Sequence, residues 1–168
     1  MKIKIILIIL IMLHICLNFP CESKENFQNL RGWNVVKMDM TADEVKKSLK
    51  GASVSFEENM FSKTGDIYFT LDKNGWEGTI YFNEKNRVNQ ILFQSPFIKN
   101  EGDVKKIVDT FTDKYGNPYE IKEIPLSDEG RKDICYIWKN NFITMELTTA
   151  YYSNEKEWVL WETYRPAR

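Results

Sequence analysis

From Ile67 onward the chain is made of short runs in which hydrophobic and polar residues alternate, and this pattern predicts antiparallel strands with one buried face. The Asn74-Gly75 pair between the first two runs is typical of a tight hairpin turn. Residues 58–65 and 125–132 carry no such alternation and are predicted loops. The predicted strands are 67–71, 78–82, 89–94, 119–124, 134–139, 142–149 and 158–164, with 53–57 as a further candidate.

Two amphipathic helices interrupt the strand pattern. Thr41 and Glu44 form a capping-box sequence, so the first helix should begin at Ala42, and Gly51 should end it in the left-handed conformation. The second helix ends before Gly116, a residue suited to the same kind of stop. Its apolar residues recur every three or four positions and share one face: Val104, Ile107, Val108, Phe111 and Tyr115.

The order helix, strand, loop and three hairpin-connected strands occurs twice. The turn sequence Asn83-Glu84-Lys85 recurs as Asn154-Glu155-Lys156, each time before the last strand of its set. Such recurrence at corresponding positions is typical of an internal repeat. We therefore predict an α+β fold of two repeats, each a helix packed on one face of an antiparallel sheet of about four strands. The repeats would span residues 40–98 and 99–168, after a lead-in segment at 24–39.

The N-terminal segment has the layout of a secretory signal. Lys2 and Lys4 precede an apolar run from Ile5 to Leu17, and Pro20 breaks the run. Residues 1–23 are therefore predicted to direct export to the periplasm, the cell envelope or the medium, with cleavage after Ser23. Two alternatives remain open: lipidation of Cys21, and a segment that is retained as an anchor.

Charge and residue types narrow the function. Without residues 1–23 the chain has 21 basic and 23 acidic residues, a net charge of −2, and its lysines are scattered, which predicts neither a nucleic-acid partner nor a charged membrane surface. Its only histidine, His14, lies in the apolar run. The exported chain would thus lack a His-based nucleophile or metal site. Cys135 lies in an apolar strand and is expected to be buried and inert. No cofactor is expected.

Alternation along the strands also predicts binding positions. In the strands at 67–71 and 142–149 the apolar residues share one parity, so the other parity should face solvent. The candidate binding residues on that solvent face are Tyr68, Thr70, Tyr81, Thr144 and Glu146. In the strands at 134–139 and 158–164 both parities carry bulky apolar groups, so the pattern assigns neither face.

Two resemblances give this arrangement a possible role. The stretch MTADEVKKSLKG resembles the opening of small outer-membrane assembly lipoproteins of the SmpA/OmlA type, and YGNP resembles the helix ending that accompanies it. Two such units in tandem resemble the beta-lactamase inhibitor protein-like fold, which implies a concave sheet surface that grips a protein. The resemblance implies a non-enzymatic, inhibitor-like or assembly-factor role.

A different class of function remains open beside that role. The chain could carry a small ligand, or act as an envelope enzyme that works without histidine and uses carboxylates such as Glu146 or Glu162. A deep pocket with converging carboxylates would favour this alternative, whereas a broad, shallow sheet face would favour protein binding.

Overall fold

The computed structural model describes residues 27–52, 56–58, 66–71, 75–125 and 130–167. Several predicted segments lie wholly or partly outside the described residues: the signal segment at 1–23, residues 24–26 of the lead-in, residues 53–55 of the candidate strand, residues 59–65 and 126–129 of the two loops, and Asn74. No helix in the described ranges is long and apolar enough to cross a membrane. A short 3₁₀ turn, Phe27–Asn29, opens the described chain, and a small hairpin of β1 (Gly32–Trp33) and β2 (Val36–Lys37) follows.

The remaining elements occur in the predicted order. They are α1 (Ala42–Gly51), β3 (Phe56–Glu58), β4 (Ile67–Leu71), β5 (Trp76–Phe82), β6 (Val88–Gln94), α2 (Glu101–Tyr115), β7 (Glu120–Ile124), β8 (Arg131–Lys139), β9 (Ile143–Tyr152) and β10 (Glu157–Pro166). The fold is therefore α+β, with two helices and antiparallel sheets in the described chain.

One predicted loop is shorter than expected. Residues 131 and 132 belong to β8, because Arg131 pairs with Tyr152 and the ladder with β9 runs on to that point. The Arg131 guanidinium donates two hydrogen bonds to the Asp133 carboxylate, each at 2.7 Å. The positive charge of Arg131 is therefore paired with a carboxylate two residues away on the same strand. Pairing with a long neighbour extends the strand beyond its alternating part.

The start of α1 agrees with the capping-box prediction, but its end does not. The Glu44 carboxylate accepts from the Thr41 amide at 2.7 Å, and the Thr41 hydroxyl accepts from the Glu44 amide at 3.4 Å. Gly51 is the last helical residue rather than a left-handed stop, so that prediction was wrong. The helix closes instead at Ala52, whose φ is −88° and whose amide donates to the carbonyl of Ser48. Gly116, by contrast, ends α2 with φ 84°.

Eight strands form one antiparallel sheet in the order β3-β4-β5-β6-β10-β9-β8-β7. The last strand before α2 and the last strand of the chain therefore meet at the centre. There, Ile91 pairs with Tyr164 and Phe93 with Glu162. Beyond this ladder Ile98 and Trp158 bridge, with two backbone hydrogen bonds of 2.8 and 2.7 Å.

The hydrophobic core lies between the helices and one face of this sheet, which we call the core face. Both helices contribute to it, α1 through Val45 and Leu49 and α2 through Val104 and its partly buried neighbours. From the strands, Ile67, Phe69, Ile143, Met145 and Leu147 enter it as alternation predicted. Trp138 of β8 and Leu160 and Tyr164 of β10 also lie on the core face. They show which side of β8 and β10 is buried, which the sequence pattern did not assign.

The predicted lead-in contains structure that the pattern did not reveal. Trp33 of the β1–β2 hairpin packs against Phe69 and Phe93, with ring centroids 5.2 and 4.8 Å apart. Asn34 makes the turn with φ 46°, a conformation that asparagine tolerates better than most residues. The hairpin thus covers the core face beside the helices.

Candidate functional site

The other face of the sheet, which we call the open face, carries every predicted binding residue. The register places Tyr68 opposite Thr79 and Thr70 opposite Glu77. Thr144 lies opposite Arg165. Cross-strand partners point to the same side of a sheet, and the core residues alternate with these positions. In the part of the chain that the structure describes, both helices and the β1–β2 hairpin pack on the core face.

The structure does not gather these residues into one cluster. One row across the open face runs Tyr68, Thr79, Leu92, Thr163 and Glu146. Four strand spacings separate its ends, or roughly 19 Å at about 4.8 Å per strand. Tyr68, on β4, is 45% exposed, whereas Glu146, on β9, is only partly exposed. The predicted residues therefore mark two ends of a surface rather than a single pocket.

The two ends differ chemically. At one end Tyr81 lies opposite Gln90, and burial raises the pKa of the Tyr81 hydroxyl. At the other end the Glu146 carboxylate lies 3.8 Å from the Arg165 guanidinium and accepts a hydrogen bond of 2.9 Å from Thr148. One end is therefore aromatic and the other is charged.

Alternation missed the residue at the middle of this face. Trp161 is partly exposed on β10, its indole N–H donates to Gln94 at 3.2 Å, and the Arg131 guanidinium lies 4.7 Å from its ring centroid. Its strand carries bulky groups at both parities, so the sequence offered no contrast with which to place it. Trp and Arg are the residue types most often found as anchors of protein interfaces.

Much of the centre is nevertheless closely packed. Thr163, Thr148 and Val159 are buried, although each points to the open face. Cys135, opposite Thr148, is a buried free thiol as expected, and burial raises its pKa. A raised pKa keeps the sulfur protonated, which makes it a poor nucleophile.

The core face holds a second candidate site, at Glu162. This partly exposed residue lines two cavities, of about 390 and 570 Å³, under α2. The Tyr164 hydroxyl donates a hydrogen bond to its carboxylate. Burial raises the pKa of Glu162 to about 7, whereas the Tyr164 hydrogen bond and the charge of Lys114 act to lower it.

Glu146 and Glu162, the two carboxylates that the sequence analysis named as candidates for catalysis, lie on opposite faces of the sheet. Glu146 pairs with Thr163, and Glu162 pairs with Leu147. Glu146 is therefore on the open face and Glu162 on the core face, so the two do not converge on one substrate position. In the described ranges no group of three or more His, Cys, Asp or Glu residues is placed to hold a metal ion.

Comparisons with known proteins add no assignment to this geometry. No family model, no curated protein and no solved structure matches the chain.

Proposed function

We propose that this chain is an exported, non-enzymatic binding module that holds a protein partner on its open face. The observation that carries the proposal is a set of accessible side chains with interface chemistry at both ends and in the middle of that face. Tyr68 is exposed at one end, Trp161 lies in the middle with Arg131 over its ring, and the Glu146–Arg165 pair lies at the other end. Aromatic and Arg anchors of this kind carry most of the energy in protein interfaces.

The open face has the size that a specific interface needs. Seven spacings across eight strands span roughly 34 Å, and the strands cover about 25 Å in the other direction. The projected area is therefore on the order of 800 Å², close to what one partner buries in a standard interface. A protein partner with an apolar centre and charged groups on one flank would suit this surface, because Leu92 and Trp161 lie between the tyrosine end and the Glu146–Arg165 end.

We further propose that the fold is a tandem of two repeats, in keeping with the resemblance to the beta-lactamase inhibitor protein-like fold. The strand order supports this, since the first half reads β3-β4-β5-β6 from one edge and the second reads β7-β8-β9-β10 from the other. The recurring Asn-Glu-Lys turns also support it, because each joins the third and fourth strands of its half. Their backbones differ in detail, with positive φ at Asn86 in one and at Lys156 in the other.

Substitution of the open face tests the proposed function. A triple change of Tyr68, Tyr81 and Glu146 to Ala should remove a captured partner from a pull-down performed with an envelope extract. Losing an interface anchor costs about 2 kcal/mol or more of binding, whereas an accessible position off the core shifts stability by about 0.5 kcal/mol. The thermal midpoint of the variant should therefore stay close to that of the wild type.

A matched control uses exposed residues away from the open face. Changing Glu84, Tyr119 and Glu155 to Ala alters two glutamates at turns and one tyrosine before β7, against two tyrosines and one glutamate in the open-face triple. The same partner should be captured by this control at the wild-type level. Capture that survives the open-face triple, or that is lost equally in both triples, would contradict the proposal.

A further inference from the structure

The cavity at Glu162 is lined by aromatic side chains from three elements. Trp33 comes from β1, Phe111 and Tyr115 come from α2, and Tyr164 comes from β10 beside Glu162. They line the cavity of about 390 Å³, which is within the usual range for small-molecule pockets. We call these four residues and Glu162 the aromatic cage.

The rings of the cage are held in place by other contacts. Trp33 packs on Phe93, and Phe111 lies 5.8 Å from Tyr115 and 6.2 Å from Trp138, measured between ring centroids. Tyr164 is 1% exposed and donates a hydrogen bond to the Glu162 carboxylate. A cage that is already formed loses little conformational entropy when a ligand enters.

Glu162 gives this cage a negative charge above neutral pH. The charged and titratable groups that face it are Tyr164 on its own strand and Lys114 and Tyr115 on α2. Its cross-strand neighbours, Leu147 and Phe93, do not titrate. Among the described residues, the hydrogen bond to this carboxylate comes from Tyr164.

A cation already uses the rim of the cage. The Lys114 ammonium lies 4.9 Å from the centroid of the Tyr115 ring, within the range of a cation–π contact. Lys114 is exposed, so its charge lies on the solvent side of the pocket. A ligand cation would therefore use the other rings that line the cavity, Trp33 and Phe111, together with the Glu162 carboxylate.

The second cavity provides room for the rest of a ligand. It has about 570 Å³ and shares Thr110, Phe111 and Glu162 with the first. Its other walls are apolar and come from β5, from α2 and from the segment before α2: Trp76, Ile107, Pro96 and Ile98. A ligand with a charged head in the cage could extend its apolar part along α2 into this space.

We propose that the aromatic cage binds a small organic cation of the alkylammonium or quaternary ammonium class. The ammonium group would lie against the Glu162 carboxylate among the rings, and the apolar part would contact the walls of the second cavity. Cation–π contacts in an aromatic cage are the usual means by which proteins recognise such ligands, and the Glu162 carboxylate adds an opposite charge. This site lies on the opposite side of the sheet from the open face, so it is independent of the proposed protein interface.

The test compares a cation with its neutral analogue. Choline and 3,3-dimethyl-1-butanol have nearly the same shape, and only choline carries a charge. Isothermal titration calorimetry of the purified protein at pH 8 should give choline an affinity at least about tenfold above that of the alcohol. Because protonation of Glu162 removes the attracting charge, choline binding should weaken by roughly tenfold at pH 6, one unit below its pKa of about 7.

Two variants make the test specific to Glu162. Glu162→Gln keeps the size of the side chain and should weaken choline binding at pH 8 by about tenfold or more, with no loss of thermal midpoint. Glu157→Gln changes a residue of the same strand that points to the open face and should bind choline as the wild type does. Three results would each overturn the proposal: equal binding of both probes, unchanged choline binding in Glu162→Gln, and no measurable choline binding by the wild type.

Discussion

At the scale of single residues, Asn140 shows how one side chain joins distant parts of the chain. Its amide nitrogen donates to the carbonyls of Phe27 and Leu30, and its amide oxygen accepts from the amides of Phe142 and Ile143. The side chain is buried, and every one of these bonds is made inside the protein. Asn140 therefore shapes the β8–β9 turn and fastens the N-terminal lead-in to it.

The first prediction follows from those four bonds. Asn140→Ala should lower the free energy of unfolding by about 3 kcal/mol, because it leaves buried carbonyl and amide groups without partners, at about 1–3 kcal/mol for each unsatisfied group. Urea denaturation followed by tryptophan fluorescence measures this directly.

The neighbouring asparagine serves as the control for this change. Asn141 is exposed in the same turn, and Asn141→Ala should shift the free energy of unfolding by less than about 0.5 kcal/mol. Equal effects at the two positions would mean that the turn sequence, rather than the hydrogen bonds of Asn140, determines stability.

At the scale of elements, the two helices end in different ways although both end near a glycine. Gly116 adopts φ 84°, where a Cβ would be strained. Gly51 belongs to the helix itself, and a Cβ added there would meet no atom within 4 Å. The sequence cue was the same in both cases, and only the backbone conformation separates them.

The second prediction uses this contrast. Gly51→Ala should raise the free energy of unfolding by about 0.5–1 kcal/mol, because Ala restricts the unfolded chain and favours a helical conformation that the native state already uses. Gly116→Ala should lower it by about 1–3 kcal/mol, since φ 84° with ψ −174° is a backbone conformation that is essentially confined to glycine. Thermal unfolding of the two variants against the wild type measures both signs. Stabilisation of the protein by both changes would show that the end of α2 can adopt another conformation.

At the scale of the whole molecule, the two halves of the sheet share one core. The Ser95 amide donates to the Leu160 carbonyl at 2.9 Å, and the Leu160 amide donates back to the Ser95 hydroxyl at 2.9 Å, which extends the β6–β10 ladder. A single hydrophobic cluster reaches from Val45 on α1 to Trp138 on β8. The halves should therefore not unfold independently.

The third prediction is a single cooperative transition. Differential scanning calorimetry should give one peak whose calorimetric enthalpy equals its van't Hoff enthalpy. Leu160→Ala, a change in a fully buried residue at the junction, should move that peak to lower temperature without splitting it, at a cost of about 3 kcal/mol. Two resolved peaks in either protein would show that the halves are separate folding units.

Sequence reasoning predicted local features well. The start of α1, the stop of α2 and the alternation of β4 and β9 each depend on interactions within a few residues, and the structure agrees with them. The alternation of hydrophobic and polar residues also predicted the side of the sheet on which Tyr68, Thr144 and Glu146 lie, because period-two alternation is a property of the strand alone. Sequence reasoning did not reveal the β1–β2 hairpin or the position of Trp161, because both depend on packing partners far away in the sequence.

The sequence by itself thus determined the order of helices and strands from α1 to β10, since capping, turn chemistry and hydrophobic periodicity act between near neighbours. Only the tertiary structure decided that β6 pairs with β10 and that the core face of β10 carries Glu162 under α2. The physical reason is that strand neighbours and burial depend on contacts between segments more than 60 residues apart, such as Ser95 with Leu160. No local pattern encodes those contacts, and the aromatic cage exists only because of them.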